Sequence, residues 1–325
     1  MLRAGVLGLG SMGRNHARVL AGLNGVEFVG VFDPADNVPP SVHDRPVFRE
    51  LEQLIAAGID YAVVAAPTIF HLEMGTQLAE AGVHALVEKP VASTGADAAA
   101  LRDLFAGRGL IGGVGHIERY NPALQEARRR IEDGLLGEIY QVATRRQGPF
   151  PHRIADVGVI KDLASHDIDL TAWVTQQAYV SVNARTTHRS GRPHEDMLVA
   201  VGTLSGGAIT SHTVNWLTPF KERTTVITGE KGALVADTLT ADLSYYENGR
   251  VRVSWDQAAA FRGVSEGDMT RFALERTEPL LAEHEAFRDS VAAGEPRGIV
   301  TLAEGTRVVE IAERMAADGV ERRLP

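Results

Sequence analysis

Apolar and polar positions follow one another in a regular succession over the first third of the chain. Short apolar runs near 3–8, 26–32, 60–66, 84–88 and 110–115 read as strands. Between them, near 12–22, 50–57, 69–82 and 95–106, apolar residues recur at helical spacing. Strand alternating with helix predicts a doubly wound parallel sheet. A further helix is expected from Pro122 to Asp133, and the pattern then changes. Runs rich in Val, Thr, Ile and Tyr near 138–146, 179–188, 196–204, 208–216, 223–228 and 232–236 are separated by Gly or Pro turns, and read as one largely antiparallel sheet. Amphipathic helices near 277–293 and 301–317 either cover that sheet or return toward the first domain. The expectation is an α/β domain over 1–118 and an α+β domain over 119–325, the second built on a large, mostly antiparallel open sheet covered by helices.

The first turn carries chemistry. Val6-Leu7 feeds into Gly8-Leu9-Gly10-Ser11-Met12-Gly13, and Asp33 closes the next apolar run. In a strand-to-helix turn of the Rossmann type, Gly8 permits the tight turn, Gly10 lets the backbone approach a pyrophosphate, and Gly13 allows close packing of the helix on the sheet. The pyrophosphate then sits at the N-terminus of a helix that includes Ser11 and Met12, where free N–H groups and the helix dipole favour an anion. Asp33 lies at the spacing from which a carboxylate reaches the adenosine ribose hydroxyls. That favours NAD over NADP, because Asp33 repels a 2'-phosphate and Pro34, Ala35 and Asp36 offer no guanidinium to accept one.

Composition narrows the class further. At 325 residues and 44% hydrophobic content the chain can bury a large core. It has no Cys, which excludes disulfides, thiolate metal sites and Cys nucleophiles and is compatible with a reducing cytoplasm. The first residues enter a strand directly and no apolar stretch is long enough to span a bilayer, so the expectation is a cytoplasmic protein with no membrane partner. A formal net charge of −9 repels nucleic acid, and Arg128-Arg129-Arg130 reads as a solvated helix face.

Two more constellations stand out. Glu88-Lys89-Pro90 ends a strand at the edge where an open parallel sheet has its ligand crevice, so Lys89 is a candidate to bind a substrate hydroxyl, stabilise alkoxide charge or relay a proton, against the plain alternative of a solvated lysine. Asp162, His166 and Asp169 share one face of a helical run toward Trp173. An imidazole beside a carboxylate suits the proton transfer that accompanies hydride loss from a carbinol carbon. The alternatives are a helix N-cap at Asp162 with a surface His166, or a metal site for which His152 and Glu118 are conceivable third ligands; no metal is expected.

With these motifs the chain resembles the Gfo/Idh/MocA oxidoreductase family over nearly its whole length. The likeness rests on the glycine loop, Ala65-Ala66-Pro67-Thr68 with His71, Glu88-Lys89-Pro90, and the Asp162, His166, Asp169 spacing; Ala164 departs from the Gly of many relatives. It implies that Ala66, Pro67, Thr68, His71 and Glu88 join the glycine loop in lining the cofactor site, and that Lys89, His166 and Asp162 form the catalytic group, with proton acceptor and polarising roles interchangeable between lysine and histidine. A narrower likeness, in residues 115–122, 158–164 and 215–219, is to the branch containing UDP-N-acetylglucosamine 3-dehydrogenases, which oxidise a sugar-ring hydroxyl. There Arg119, Arg153, Lys161, Lys221 and Arg223 are candidate cations for a nucleotide-sugar diphosphate, with Arg119, Arg153, Lys161 and His166 the candidate substrate residues. A free polyol or aldose dehydrogenase, and a non-catalytic dinucleotide or sugar sensor, are the alternative readings. Relatives pair through the broad sheet, which implies a homodimer or homotetramer.

Overall fold

The first apolar run folds as β1 (Leu2–Leu7), flanked in parallel by β2 (Val26–Phe32) on one side and β5 (Tyr61–Val64) on the other. Outward from β5 come β6 (His84–Glu88) and β7 (Gly112–Gly115), both parallel. Outward from β2 comes β4 (Arg45–Phe48), edged by the short antiparallel β3 (Ser41–Val42). Strand order therefore reverses at β1, and the crevice of such a sheet lies at the carboxyl ends on either side of it. The computed structural model describes residues 1–151, 157–249 and 266–319.

Alternation along the strands supplies two cores. Ala62 and Val64 of β5 face one side, with Leu54 of α2 (Leu51–Ala56), Leu78 of α3 (His71–Glu80) and Leu101 and Phe105 of α4 (Gly95–Gly107). Tyr61 and Val63 face the other, with Leu20 of α1 (Ser11–Gly22) and Phe287 and Val291 of α7 (Pro279–Ala293). The rings of Tyr61 and Phe287 meet edge to face, 5.4 Å between centroids.

These late contacts change the expected domain map. The chain forms one unit from Met1–Tyr120 with Glu278–Glu313, and a second from Asn121–Thr277 with the chain from Arg314 on. A continuous second domain over 119–325 does not describe this path. The cause is the apolar stripe of α7, which packs on the parallel sheet, together with Leu302 and Val309 of α8 (Leu302–Asp318), which join the core of α2, α3 and α4.

The second unit is built on an eight-stranded sheet. Its strands are β8 (Ile139–Pro149), β9 (Tyr179–Thr187), β10 (Met197–Leu204), β11 (Ile209–Asn215), β12 (Leu217–Gly229), β13 (Gly232–Asp237), β14 (Asp242–Asn248) and β15 (Glu266–Arg271), in the order β15-β14-β13-β12-β8-β11-β10-β9. Only the β8–β11 pairing is parallel. β14 and β15 extend the sheet beyond the expected runs, and β12 starts at Leu217, before the expected 223. Leu124 and Ala127 of α5 (Pro122–Glu132) and Leu170 and Val174 of α6 (Ser165–Thr175) cover one face over Val142, Ile227 and Leu234. The opposite face leaves Val180, Val199, Val201 and Ile209 exposed. Among the described residues no helix is long and apolar enough to cross a membrane.

Candidate active site

The glycine loop is shaped by steric demand at two of its three glycines. Gly8 has φ +93°, and a Cβ there would sit 2.9 Å from the Ala65 carbonyl oxygen and from Ala66 backbone atoms. At Gly13 a Cβ would fall 1.9 Å from the Gly8 carbonyl oxygen. Gly10 differs, since a Cβ would meet no protein atom within 4 Å, so its open side is available to a ligand. Gly10 also caps α1 without any side-chain hydrogen bond, and the first turn, which holds Ser11 and Met12, carries no acid. The leading N–H groups of α1 are thereby left to an anion.

Asp33 follows β2 and is half-buried. Its Oδ2 accepts the Leu9 N–H at 2.7 Å and its Oδ1 the Ala35 N–H at 2.9 Å, so it braces the glycine loop. Each carboxylate oxygen keeps a second lone pair for a hydroxyl. Open backbone at Gly10, an uncapped helix start and these acceptors together fit a dinucleotide.

After β5 come Ala66 and Thr68, half-buried, and Pro67, exposed. His71, expected to line the cofactor, has its ring buried, one nitrogen 2.9 Å from the Ala66 carbonyl oxygen and the other 3.0 Å from that of Pro90. It ties the loop after β5 to the loop after β6. Burial pushes its imidazole below the ordinary range, against the opposing pull of those carbonyls.

Glu88 behaves similarly. Its Oε1 lies 2.9 Å from Nε2 of His16, its Oε2 accepts the Lys89 N–H at 3.0 Å, and Nδ1 of His16 lies 2.9 Å from Nε2 of His284 on α7. Burial alone would raise the Glu88 carboxyl, but the His16 hydrogen bond and charge, helped by Lys89, hold it below the usual carboxylate range. With both carboxylate oxygens engaged, Glu88 fixes the backbone that presents the half-buried Lys89. The Lys89–Pro90 peptide is cis. Beside His284 lies Glu283, 1% exposed, neither carboxyl oxygen of which has a hydrogen-bond partner.

In the second unit Asp162 occupies a π-helical turn, Ile160–Ala164, rather than the expected α-helix, and His166 stands in the first turn of α6. Asp162 and Asp169 are buried and His166 is half-buried. The entry to the turn is held by Glu195, whose Oε1 accepts the Ile160 N–H at 3.0 Å and whose backbone carbonyl accepts the Val159 N–H. Gly158 makes this possible, because a Cβ there would collide with the Glu195 carboxylate. α6 is docked by a buried ion pair, Arg146 Nε to Asp167 Oδ1 at 2.9 Å. Nearby, burial depresses His212 to about 4, so it stays neutral between Thr144 and Tyr179.

The expected diphosphate cations differ in their surroundings. Arg119, 7% exposed, pairs with Glu304 of α8 at 2.8 Å, so its guanidinium is engaged inside the first unit. Lys161 is half-buried on the π turn, Lys221 is exposed, and Arg223 donates to the carbonyls of Gln147 and Glu222. Arg153 and His152 lie outside the described residues. Sequence reading missed His16, although it shares the buried stripe of α1 with Gly13, Ala17 and Leu20, a signal that helical periodicity carries. It also missed Glu283, His284, Arg146, Glu195 and Arg49; the last lies beside Asp33 through the β2–β4 pairing. Among the described residues no three His, Cys, Asp or Glu side chains are grouped to hold a metal.

Two family models match the chain. Residues 2–116 match an oxidoreductase family with an NAD-binding Rossmann fold, and residues 124–235 match the GFO/IDH/MocA C-terminal domain. The UDP-N-acetylglucosamine 3-dehydrogenase of Acidithiobacillus ferrooxidans is 29% identical over 91% of this chain and 90% of its own. Its solved structure superposes with a TM-score of 0.83, covering 98% of this chain and 97% of that one at 28% identity. The scyllo-inositol 2-dehydrogenase (NAD(+)) of Bacillus subtilis is 31% identical over 56% of each chain. GenD2 from gentamicin A biosynthesis, solved in complex with NAD, is 25% identical with a TM-score of 0.79 over 98% of this chain and 95% of its own.

Proposed function

The chain belongs to the Gfo/Idh/MocA family of NAD-binding oxidoreductases, and from that premise we propose that it oxidises a ring hydroxyl of a nucleotide sugar, a UDP-N-acetylhexosamine at its 3-position. The observation that carries this choice is coverage. The nucleotide-sugar dehydrogenase aligns over 91% of the chain, whereas the inositol 2-dehydrogenase of Bacillus subtilis aligns over 56%.

NAD supplies the hydride acceptor when a carbinol carbon is oxidised. The leading N–H groups of α1 and the open backbone of Gly10 hold its pyrophosphate, and Asp33 takes the ribose hydroxyls. We assign the proton of the reacting hydroxyl to His166, and stabilisation of the charge that builds on its oxygen to Lys89. Asp162 supports His166 electrostatically. We also propose that a second copy covers the exposed apolar face of the large sheet, where Val180, Val199, Val201 and Ile209 stand in the open.

The assay is NADH formation from NAD with UDP-N-acetylglucosamine, UDP-N-acetylgalactosamine, inositol isomers and free aldoses. UDP-sugar turnover with Lys89→Ala and His166→Ala each at least about a hundredfold slower, and NADH affinity retained, is the expected result. Turnover of inositol alone, or near-normal rates in both variants, rejects the assignment.

A further inference from the structure

Arg49 follows β4, and because β4 pairs in parallel with β2, with Val31 opposite Val47 and Phe32 opposite Phe48, it comes to lie beside Asp33. Its Nη1 donates to the Asp33 carbonyl at 3.2 Å and to the Ala35 carbonyl. These two bonds use both Nη1 hydrogens and fix the guanidinium against the loop that carries the ribose-reading carboxylate. The remaining edge, Nε with Nη2, donates to no other group among the described residues. That edge is the fork which meets two oxygens of a phosphate side by side. Arg14 is placed in a similar way on the other side of the loop: its Nε donates to the Leu9 carbonyl at 3.1 Å, and its terminal nitrogens donate to no other described group. Both side chains are exposed. Leu9 is joined to Asp33 by the 2.7 Å bond from its N–H, so both guanidiniums are tied to backbone that the Asp33 carboxylate holds in place.

A phosphate on the adenosine ribose at this position faces opposing influences. The Asp33 carboxylate repels it, and the open fork of Arg49 attracts it in bidentate fashion. We propose that Arg49, seconded by Arg14, is an acceptor for the 2'-phosphate of NADP, and that the single charge of Asp33 masks this otherwise complete anion site. Preference for NAD in this chain then arises from one repelling group and not from the lack of a cation.

The experiment needs no substrate: fluorescence titration of the full chain with NADH and with NADPH. Asp33→Asn removes the charge and keeps one oxygen for the Leu9 N–H, at the loss of the bond from the Ala35 N–H. It should tighten NADPH at least about tenfold over wild type, the worth of one charged hydrogen bond. Adding Arg49→Ala should abolish that gain and leave NADH within about twofold of the Asp33→Asn value. Arg49→Lys should restore only part of it, since an ammonium lacks the fork. A gain that survives Arg49→Ala overturns the proposal, and so does unchanged NADPH affinity in an Asp33→Asn protein that still binds NADH. Should Asp33→Asn bind neither cofactor, Arg49→Glu in the otherwise unaltered chain decides: NADPH must weaken at least about tenfold with NADH held, and equal losses refute the site. Failure of the sugar-dehydrogenase reading would show in turnover alone and leave these titrations as they are.

Discussion

Glu283 is the least compatible with its surroundings of the buried groups in the first unit, and replacing it with Gln tests the electrostatics directly. It lies on α7, 1% exposed, with neither oxygen hydrogen-bonded. Burial first, and then the negative charge of Glu88, push its carboxyl well above the ordinary range. The folded chain therefore keeps a proton here that the unfolded chain releases above the ordinary value of 4.5. Since the unfolded state binds fewer protons in that window, the contribution of Glu283 is full below 4.5 and declines as pH rises toward the raised folded value. One proton corresponds to a slope of at most about 1.4 kcal/mol per pH unit wherever the two states differ in protonation. Glu283→Gln removes the titration and nearly keeps the volume. The unpaired amide that it introduces adds a penalty independent of pH, and Glu88, His16 and His284 are common to both proteins. Urea unfolding at pH 5, 6, 7 and 8 is the assay, read by circular dichroism because no tryptophan lies in 1–120 or 278–313. The variant should gain on wild type as pH rises, seen as a urea midpoint that moves upward relative to wild type at each step in pH. A difference that is flat with pH, or one that moves against the variant as pH rises, refutes the reasoning.

Three further predictions use the loop and the open sheet. Gly10→Ala should leave the thermal midpoint unchanged, because no protein atom is within 4 Å of the added methyl, while weakening NADH at least about tenfold. Gly13→Ala should lower both NADH affinity and the midpoint, since the methyl would lie 1.9 Å from a backbone oxygen; calorimetry beside fluorescence titration separates the two. Val199→Glu with Val201→Glu should reduce the mass measured by sedimentation, because these side chains are 45% and 49% exposed on the face assigned to a second copy. An unchanged mass removes that face from the assembly.

What the sequence disclosed follows the range of the interactions. The steric demands at Gly8 and Gly13 and the open backbone at Gly10 were legible because one turn decides them, and the place of Lys89 because its motif ends a strand of recognisable pattern. Arg49 escaped notice because β4 holds only four residues, two of them Arg45 and Pro46, so neither the strand nor its pairing with β2 announces itself. Arg119 is a candidate substrate cation in the sequence, and its partner Glu304 lies 185 residues away on a helix whose packing the sequence left open between the two domains. Helical spacing at Asp162 and His166 was visible, but the π turn depends on Glu195 filling the space left by Gly158, a tertiary event. The same holds for α7, where Glu283 and His284 interrupt the stripe of Leu280, Phe287 and Val291 and weaken the apolar signal of a buried helix.

The buried polar groups of the first unit share a location that accounts for their retention. Asp33 joins the loop after β2 to the glycine loop after β1 through Leu9, and His71 joins the loop after β5 to the loop after β6. Glu88, at the end of β6, joins α1 through His16, which in turn meets His284 of α7. Each of these side chains bridges two segments at the carboxyl ends of the parallel strands, where backbone hydrogen bonding between strands has stopped. Apolar packing would hold the segments together without fixing their register to a fraction of an ångström, whereas directed hydrogen bonds at 2.7–3.0 Å do fix it. Burying these groups costs stability, and the gain is a frame in which Gly10, Asp33 and Lys89 are set before any ligand arrives. Ordering entropy that the loops would otherwise lose on binding is then lost during folding, which raises affinity without adding a contact.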